Sequence, residues 1–193
     1  MNKIIDNLIK QSKLIEIGDQ VVKNQWPKGD QDSLRAFYGP RGLNLVHIHT
    51  PYPLRLSWKL GKRVNRIKVH KRVADSQLRV MEEILAVYGL DAIQALELDI
   101  WGGCYSQRKK RDNKHEWSVH SWGAANDWNP KKNGLYTPWE HSQFSEPAYM
   151  PFLNAWIREG WNILGMDIGR DAMHIEAVAN DIKLLDYSPI EIN

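Results

Sequence analysis

Residues 118–127 read Ser118-Val119-His120-Ser121-Trp122-Gly123-Ala124-Ala125-Asn126-Asp127, which places an imidazole and a carboxylate seven residues apart. Zinc accepts histidine nitrogen at about 2.0–2.1 Å and carboxylate oxygen at about 2.0–2.2 Å, so two ligands of one ion must lie close together. Adjacent strands, or a strand and its turn, can bring them together, and Gly123 allows the backbone to bend between them. The spacing therefore predicts that His120 and Asp127 bind one metal ion.

A third ligand must come from elsewhere, and the candidate is His174 in Asp171-Ala172-Met173-His174-Ile175-Glu176. Three protein ligands leave one position for water, which is typical of a catalytic rather than a structural zinc. Such a metal lowers the pKa of water to about 7, and the free carboxylate of Asp171 can then take the proton. Asp167 and Glu176 stay open as alternative bases, and Glu176 is the better rival because it shares a strand face with His174.

Two other groups of residues offer weaker chemistry. His47 and His49 have a spacing that suits a metal, but no carboxylate lies near them in the sequence, so a structural role is favoured. Cys104, the single cysteine, excludes an internal disulfide. It could be a nucleophile, but a small buried residue beside two glycines is the favoured interpretation.

The metal motif resembles a known family at every fixed position. The pattern Ser-x-His-x-x-Gly-x-Ala-x-Asp is matched by Ser118, His120, Gly123, Ala125 and Asp127. The pattern is that of the zinc D-alanyl-D-alanine carboxypeptidases and L-alanyl-D-glutamate endopeptidases, a family that includes phage endolysins and vancomycin-resistance D,D-dipeptidases. The family's second motif, an acidic residue three positions before a histidine, follows at a plausible distance. Its Asp form is similar to the phage endopeptidase branch.

The resemblance extends over roughly residues 35–178 and implies a zinc peptidase that cleaves the stem peptide of bacterial peptidoglycan. It implies a zinc cofactor, Asp171 as the proton shuttle and Ser118 as a supporting residue. It also implies an arginine that orients the substrate or polarises its carbonyl; Arg108 is the candidate, and Arg111 stays open. Ile175 departs from the family, where many members carry Phe or Trp. A D-alanyl-D-alanine carboxypeptidase and a non-catalytic zinc-containing module that grips wall peptides are the alternatives.

The composition is that of an ordinary globular protein with an unusual number of tryptophans. The 193 residues are 42% hydrophobic and 25% charged, and nine are tryptophans, which can fill a core or line a groove for an extended polymer. The net charge of +3 is weak evidence for an anionic partner, and no nucleic acid is expected. The sequence shows neither a secretory signal nor an apolar run long enough to span a membrane. We therefore expect synthesis in the cytoplasm and action on the cell wall after release.

The periodicity of the chain predicts an α+β fold, with a small antiparallel sheet that carries the zinc ligands and is flanked by helices. We expect an N-terminal helical extension at residues 1–34 and a zinc peptidase domain at residues 35–193. The predicted helices cover residues 3–16, 71–88 and 148–159. The predicted strands and extended pieces cover residues 43–49, 96–101, 117–120, 124–128 and 173–177, while 17–42 and 129–147 are predicted to be irregular.

Overall fold

The computed structural model describes residues 26–185, which form one six-stranded sheet with helices packed against it. The strand order is β2-β1-β3-β4-β6-β5. The strands are β1 Leu45–Leu56, β2 Lys59–His70, β3 Ile100–Gly103, β4 Ala125–Trp128, β5 Asn162–Ile163 and β6 His174–Glu176. The α-helices are α1 Gln31–Tyr38, α2 Ala74–Ala95, α3 Met150–Arg158 and α4 Leu164–Ile168. The helix predicted at residues 3–16 lies outside the described residues.

The α+β class is confirmed, and the strands that carry Asp127 and His174 pair antiparallel; the sheet as a whole is mixed, because it also contains one parallel pair. Strand β1 pairs with β3 in parallel, with Arg55 opposite Ile100, while the other pairings are antiparallel. A tight hairpin turn forces antiparallel pairing, whereas a long connection permits parallel pairing. The chain enters β3 through the 22-residue helix α2, and this connection permits the parallel pair.

The first half of the chain is more regular than its sequence pattern indicates. Residues 31–38, predicted to be irregular, form α1, in which Asp30 caps the first turn by accepting a hydrogen bond from the backbone N–H of Ser33 at 2.8 Å. The strand predicted at residues 43–49 is longer and forms a hairpin with β2, which the sequence did not reveal. Helix α2 begins three residues after the start of the predicted helix, covers the rest of it and continues to Ala95, with non-helical angles at Gly89 (φ 69°), just past the predicted end.

The second half follows the prediction more closely. Predicted helix 148–159 corresponds to α3, and predicted strands 124–128 and 173–177 correspond to β4 and β6. The extended piece predicted at residues 117–120 was wrong, because Val119–Trp122 forms a short 3-10 helix. The strand predicted at 96–101 begins only at Ile100. Three further 3-10 turns, Trp139–His141, Gln143–Ser145 and Pro147–Tyr149, lie in and just beyond the predicted loop.

Six of the nine tryptophans are buried in the core. Trp122, Trp128, Trp156 and Trp161 are fully buried, and the last three form a chain of ring contacts with centroids 4.9–5.9 Å apart. Such contacts add to the free energy gained by burying the ring surface. The core thus supports the short central strands that carry the site. Among residues 26–185, no helix is both long and apolar enough to cross a bilayer.

Candidate metal centre

Strand pairing brings two of the predicted ligands face to face. Asp127 on β4 and His174 on β6 are directly opposite each other in the antiparallel register. Opposite residues of an antiparallel pair have Cβ atoms about 4.5–5.5 Å apart, which is close enough for both side chains to reach one ion. His120 comes from the 3-10 helix that precedes β4, so the three side chains meet at the centre of the sheet.

The turn between His120 and β4 depends on Gly123. Gly123 adopts a left-handed conformation (φ 72°, ψ 32°), and its N–H donates to the carbonyl of His120 at 3.0 Å. A Cβ atom at this position would lie 2.7 Å from Leu45 Cδ2 and 3.1 Å from the backbone nitrogen of His70. Both the backbone angle and the lack of space therefore favour glycine at this point of the motif.

Three potential ligand atoms converge in the buried centre formed by His120, Asp127 and His174. His120 Nε2, His174 Nδ1 and Asp127 Oδ1 are each 3.1 Å from the other two. Ligand atoms at about 2.0–2.1 Å from a tetrahedral zinc are separated by about 3.3–3.4 Å, so this triangle is close to the size that zinc requires. Residues 120, 127 and 174 could therefore bind a metal ion.

The remaining ring nitrogens are held by groups outside the triangle. His120 Nδ1 lies 2.6 Å from the carbonyl oxygen of Cys104, which can only accept a hydrogen bond. His174 Nε2 lies 3.0 Å from Oε2 of Glu176. Such partners fix the ring orientation and tautomer of metal-binding histidines. With each proton placed on the outer nitrogen, both inner nitrogens present lone pairs to the centre of the triangle.

Three acceptors that face one buried point require a positive charge between them. Burial opposes ionisation of Asp127, but His120 and His174 hold its pKa well below its usual range. Burial lowers the pKa of His174, yet its hydrogen bonds to Asp127 and Glu176 outweigh this and raise that pKa to about 10. The site therefore binds a proton strongly when no metal is bound. A divalent cation can replace that proton and satisfy the same three acceptors.

Asp171 lies beside the triangle without belonging to it. It adopts a left-handed conformation (φ 62°) in the turn before β6, and its backbone carbonyl accepts from the N–H of His174. Its Oδ1 is buried and has no hydrogen-bond partner among the described residues. Burial raises the pKa of Asp171, His174 opposes this and Asp127 adds to it. The carboxylate is thus free to exchange a proton with a group inside the site.

A cavity of about 350 Å³ opens over the centre and has a basic rim. Arg108 is half-buried: burial lowers its pKa, while the charges of Asp127 and Asp171 act to raise it. Arg111 also lines the cavity but is exposed. Ser118 is buried in the cavity wall, and its N–H donates to the carbonyl of Arg108 at 3.1 Å. Five of the six residues that the sequence predicted for the site line this cavity, and the sixth, His120, contacts Asp127 and His174 without lining it.

The weaker candidates lie elsewhere or have other partners. His47 and His49 are exposed on β1, opposite Lys68 and Arg66 respectively, and so face cations. Cys104 is buried as expected, and its pKa is raised by burial, which disfavours a nucleophilic thiolate. Their surroundings favour neither metal binding nor nucleophilic catalysis.

The rival bases also differ from Asp171 in their surroundings. Asp167 is exposed and accepts a hydrogen bond from Asn162 at 3.0 Å, outside the cavity lining. Glu176 does line the cavity, but its carboxylate is engaged by His174. The contact of Glu176 with His174 could have been predicted, because the two residues lie two positions apart on the same strand face. The contact of the Cys104 carbonyl with His120 leaves no signal in the sequence.

The fold and site together define a protein with a buried His-Asp-His centre open to a cavity, the arrangement of a catalytic metal site. A family model described as D-alanyl-D-alanine carboxypeptidase matches residues 111–177, about a third of the chain. The match contains the three metal-binding candidates and Asp171, while Arg108 lies just outside it. No curated protein and no solved structure matches the chain. The match supports a peptidase of this family of zinc enzymes.

Proposed function

We propose that the protein is a zinc-dependent peptidase of bacterial peptidoglycan, and in particular an L-alanyl-D-glutamate endopeptidase of the endolysin type. The observation that carries the proposal is the triangle of three acceptors 3.1 Å apart beneath an open cavity. The Asp form of the second motif, Asp171-x-x-His174, supports the endopeptidase branch. The chemistry that zinc supplies in such a centre is Lewis acidity, which polarises a peptide carbonyl and makes water more acidic.

The side chains around the cavity have distinct tasks in this proposal. Asp171 accepts a proton from the attacking water and passes it to the departing amine, so that the peptide C–N bond breaks as the new C–O bond forms. Its unpartnered buried oxygen supports this role. The guanidinium of Arg108 faces the charge that develops on the carbonyl oxygen, and Ser118 lines the wall beside it.

The basic rim favours a substrate that carries a carboxylate. Arg108, Arg111 and Lys110 line the cavity, with Lys110 paired to Glu116 at 2.6 Å, and a guanidinium binds a carboxylate through two parallel hydrogen bonds. The D-glutamate residue of a stem peptide offers such a group next to the bond that an endopeptidase cleaves. The same rim also suits the terminal carboxylate of a D-alanyl-D-alanine peptide, and this observation keeps a carboxypeptidase as the second candidate.

The test combines metal analysis with mass spectrometry of digested peptidoglycan. We expect about one zinc per chain, loss of digestion on chelation, and recovery on addition of zinc. His120→Ala should remove both zinc and activity, while His141→Ala, at an exposed position away from the cavity, serves as the matched control. Fragments that begin with D-glutamate identify the endopeptidase, and release of D-alanine identifies the carboxypeptidase. Zinc and wall binding without any released fragment would refute catalysis.

A further inference from the structure

Charge is divided sharply along this chain. The 42 residues from Ser33 to Ala74 contain ten Lys or Arg and no Asp or Glu. The whole chain has 26 basic and 23 acidic residues, so the remainder holds 16 basic and 23 acidic ones. A net charge of +10 in one segment is thus hidden by −7 in the remainder. Strand β2 carries five of the ten basic residues and β1 a sixth, so more than half of this charge lies on the two strands at one edge of the sheet.

Strand β2 is the outer strand of that edge, and its exposed face places its cations directly across from two histidines of β1. Lys68 is opposite His47 and Arg66 is opposite His49, and all four side chains are exposed. Partial desolvation lowers the pKa of His47, and the charges of Arg66 and Lys68 lower it further. Strand β1 has no Asp or Glu to balance these cations, so the face would attract a negatively charged partner.

The cations of β2 are available to such a partner. Among residues 26–185, the five basic side chains of this strand form no ion pair within 4.0 Å. Lys68 instead lies over the ring of Tyr105, with its Nζ 5.5 Å from the ring centroid. The five are Lys59, Lys62, Arg63, Arg66 and Lys68.

Two large apolar side chains lie among these cations. Trp58 in the hairpin turn is 65% exposed, and Leu60 at the start of β2 is 52% exposed. Lysines on an edge strand can protect it from pairing with other chains, but exposed tryptophan and leucine have the opposite effect. Protection of the edge therefore does not explain Trp58 and Leu60.

We propose that the basic edge, defined as Trp58–Lys68, docks the protein on an anionic lipid surface. Its lysines and arginines contact lipid phosphates, while Trp58 and Leu60 enter the boundary between headgroups and acyl chains. A single-stranded nucleic acid is the poorer fit, because it needs aromatic rings spaced among the cations for base stacking. Here Trp58 is alone at the turn and has an aliphatic neighbour, as suits a lipid interface.

The basic edge is connected directly to the metal centre. The last residue of β2, His70, donates its backbone N–H to the carbonyl of Gly123 at 2.8 Å. Gly123 forms the turn between His120 and β4. A surface that binds β2 therefore holds the cavity at a fixed position relative to that surface, which suits an enzyme whose polymeric substrate lies close to a membrane.

Flotation of the full-length protein with lipid vesicles tests this proposal. We expect partition onto vesicles of phosphatidylglycerol and phosphatidylcholine, little onto pure phosphatidylcholine, and release in high salt. Each basic residue at an anionic surface contributes about fivefold to partition. The double variant Lys62→Gln, Arg63→Gln should therefore partition about 25-fold more weakly. The matched control Lys28→Gln, Lys131→Gln makes the same change of net charge at exposed positions elsewhere and should partition almost as well as the wild type.

Insertion of the apolar pair is tested separately from charge. Brominated lipids should quench the fluorescence of the wild-type protein, and Trp58→Phe should abolish that quenching while it retains most of the partition. Equal partition onto neutral and anionic vesicles would overturn the proposal, as would equal losses in the two double variants. Tighter binding to single-stranded DNA than to anionic vesicles, without quenching by brominated lipid, would also overturn it in favour of a nucleic-acid surface.

Discussion

The roles of the two carboxylates around His174 can be separated by a pair of isosteric substitutions. Glu176 accepts a hydrogen bond from His174 Nε2 at 3.0 Å, and Asp171 Oδ1 has no described partner. Glu176→Gln keeps an acceptor but removes its charge. A hydrogen bond to a charged group contributes about 1.5–3 kcal/mol and a neutral one about 0.5–1.5 kcal/mol. The substitution should therefore weaken the support of His174, and with it the free energy of zinc binding, by about 1–2 kcal/mol. Zinc affinity should fall about 5- to 30-fold.

Asp171→Asn should lower turnover more than it lowers zinc affinity. Asparagine tolerates the left-handed backbone at this position, so the turn before β6 should form normally. The variant should bind zinc more tightly than Glu176→Gln does. Loss of a general base typically lowers turnover about 10²- to 10⁴-fold, and we expect this loss to persist at saturating zinc.

The assay is a competition for zinc against a coloured chelator, followed by peptidoglycan digestion at saturating zinc. Glu140→Gln, at an exposed position, controls for the loss of one negative charge. We expect opposite rank orders for the two variants: Glu176→Gln should have the lower zinc affinity and Asp171→Asn the lower turnover. If Glu176→Gln lost more turnover at saturating zinc than Asp171→Asn, then Glu176 would be the base and the role of Asp171 would be refuted.

Three further outcomes follow from the site geometry. Gly123→Ala places a Cβ 2.7 Å from Leu45 Cδ2 in a left-handed conformation and should lower the free energy of unfolding by about 2–4 kcal/mol, measured with urea; an unchanged value would contradict the packing argument. Because the pKa of His174 is raised to about 10, zinc should displace one proton near neutral pH. Its apparent affinity should then fall about tenfold for each unit by which pH falls, and calorimetry in buffers of different ionisation enthalpy should detect the proton. Arg108→Lys should lower kcat/KM at least about tenfold more than Arg111→Lys does, and equal losses would contradict the role of the half-buried arginine.

The positions of the metal-binding candidates were predictable because their chemistry is local. The His120 and Asp127 pair needs a bend between a turn and a strand, and Gly123 marks that bend. His174 was found through its acidic neighbour three residues earlier. The hydrogen bond from His120 to the carbonyl of Cys104 could not be predicted, because any residue supplies a carbonyl and only the fold brings this one into contact.

Helices and strands were predictable where apolar residues recur with one clear period. They were less predictable where tertiary contacts determine the secondary structure. Helix α2 has a clear apolar stripe and was found, with Gly89 at its break. Strand β2 was missed because its first half is exposed on both faces, so its sequence lacks the apolar alternation of a half-buried strand. Helix α1 was missed because only Leu34 and Tyr38 of its eight residues are buried.

The modest net charge of the chain conceals two parts of opposite charge. A metal centre needs carboxylates, and Asp127, Asp171 and Glu176 surround His174 with negative charge in the part of the chain that is acidic as a whole. An anionic surface needs the opposite charge, and residues 33–74 provide it without a single Asp or Glu. Opposite potentials can coexist in a small protein because screening limits each to about 10 Å in salt. The net charge of +3 is therefore the difference between a basic segment and an acidic remainder, and only the placement of the charges in the fold reveals the basic edge and the carboxylates around His174.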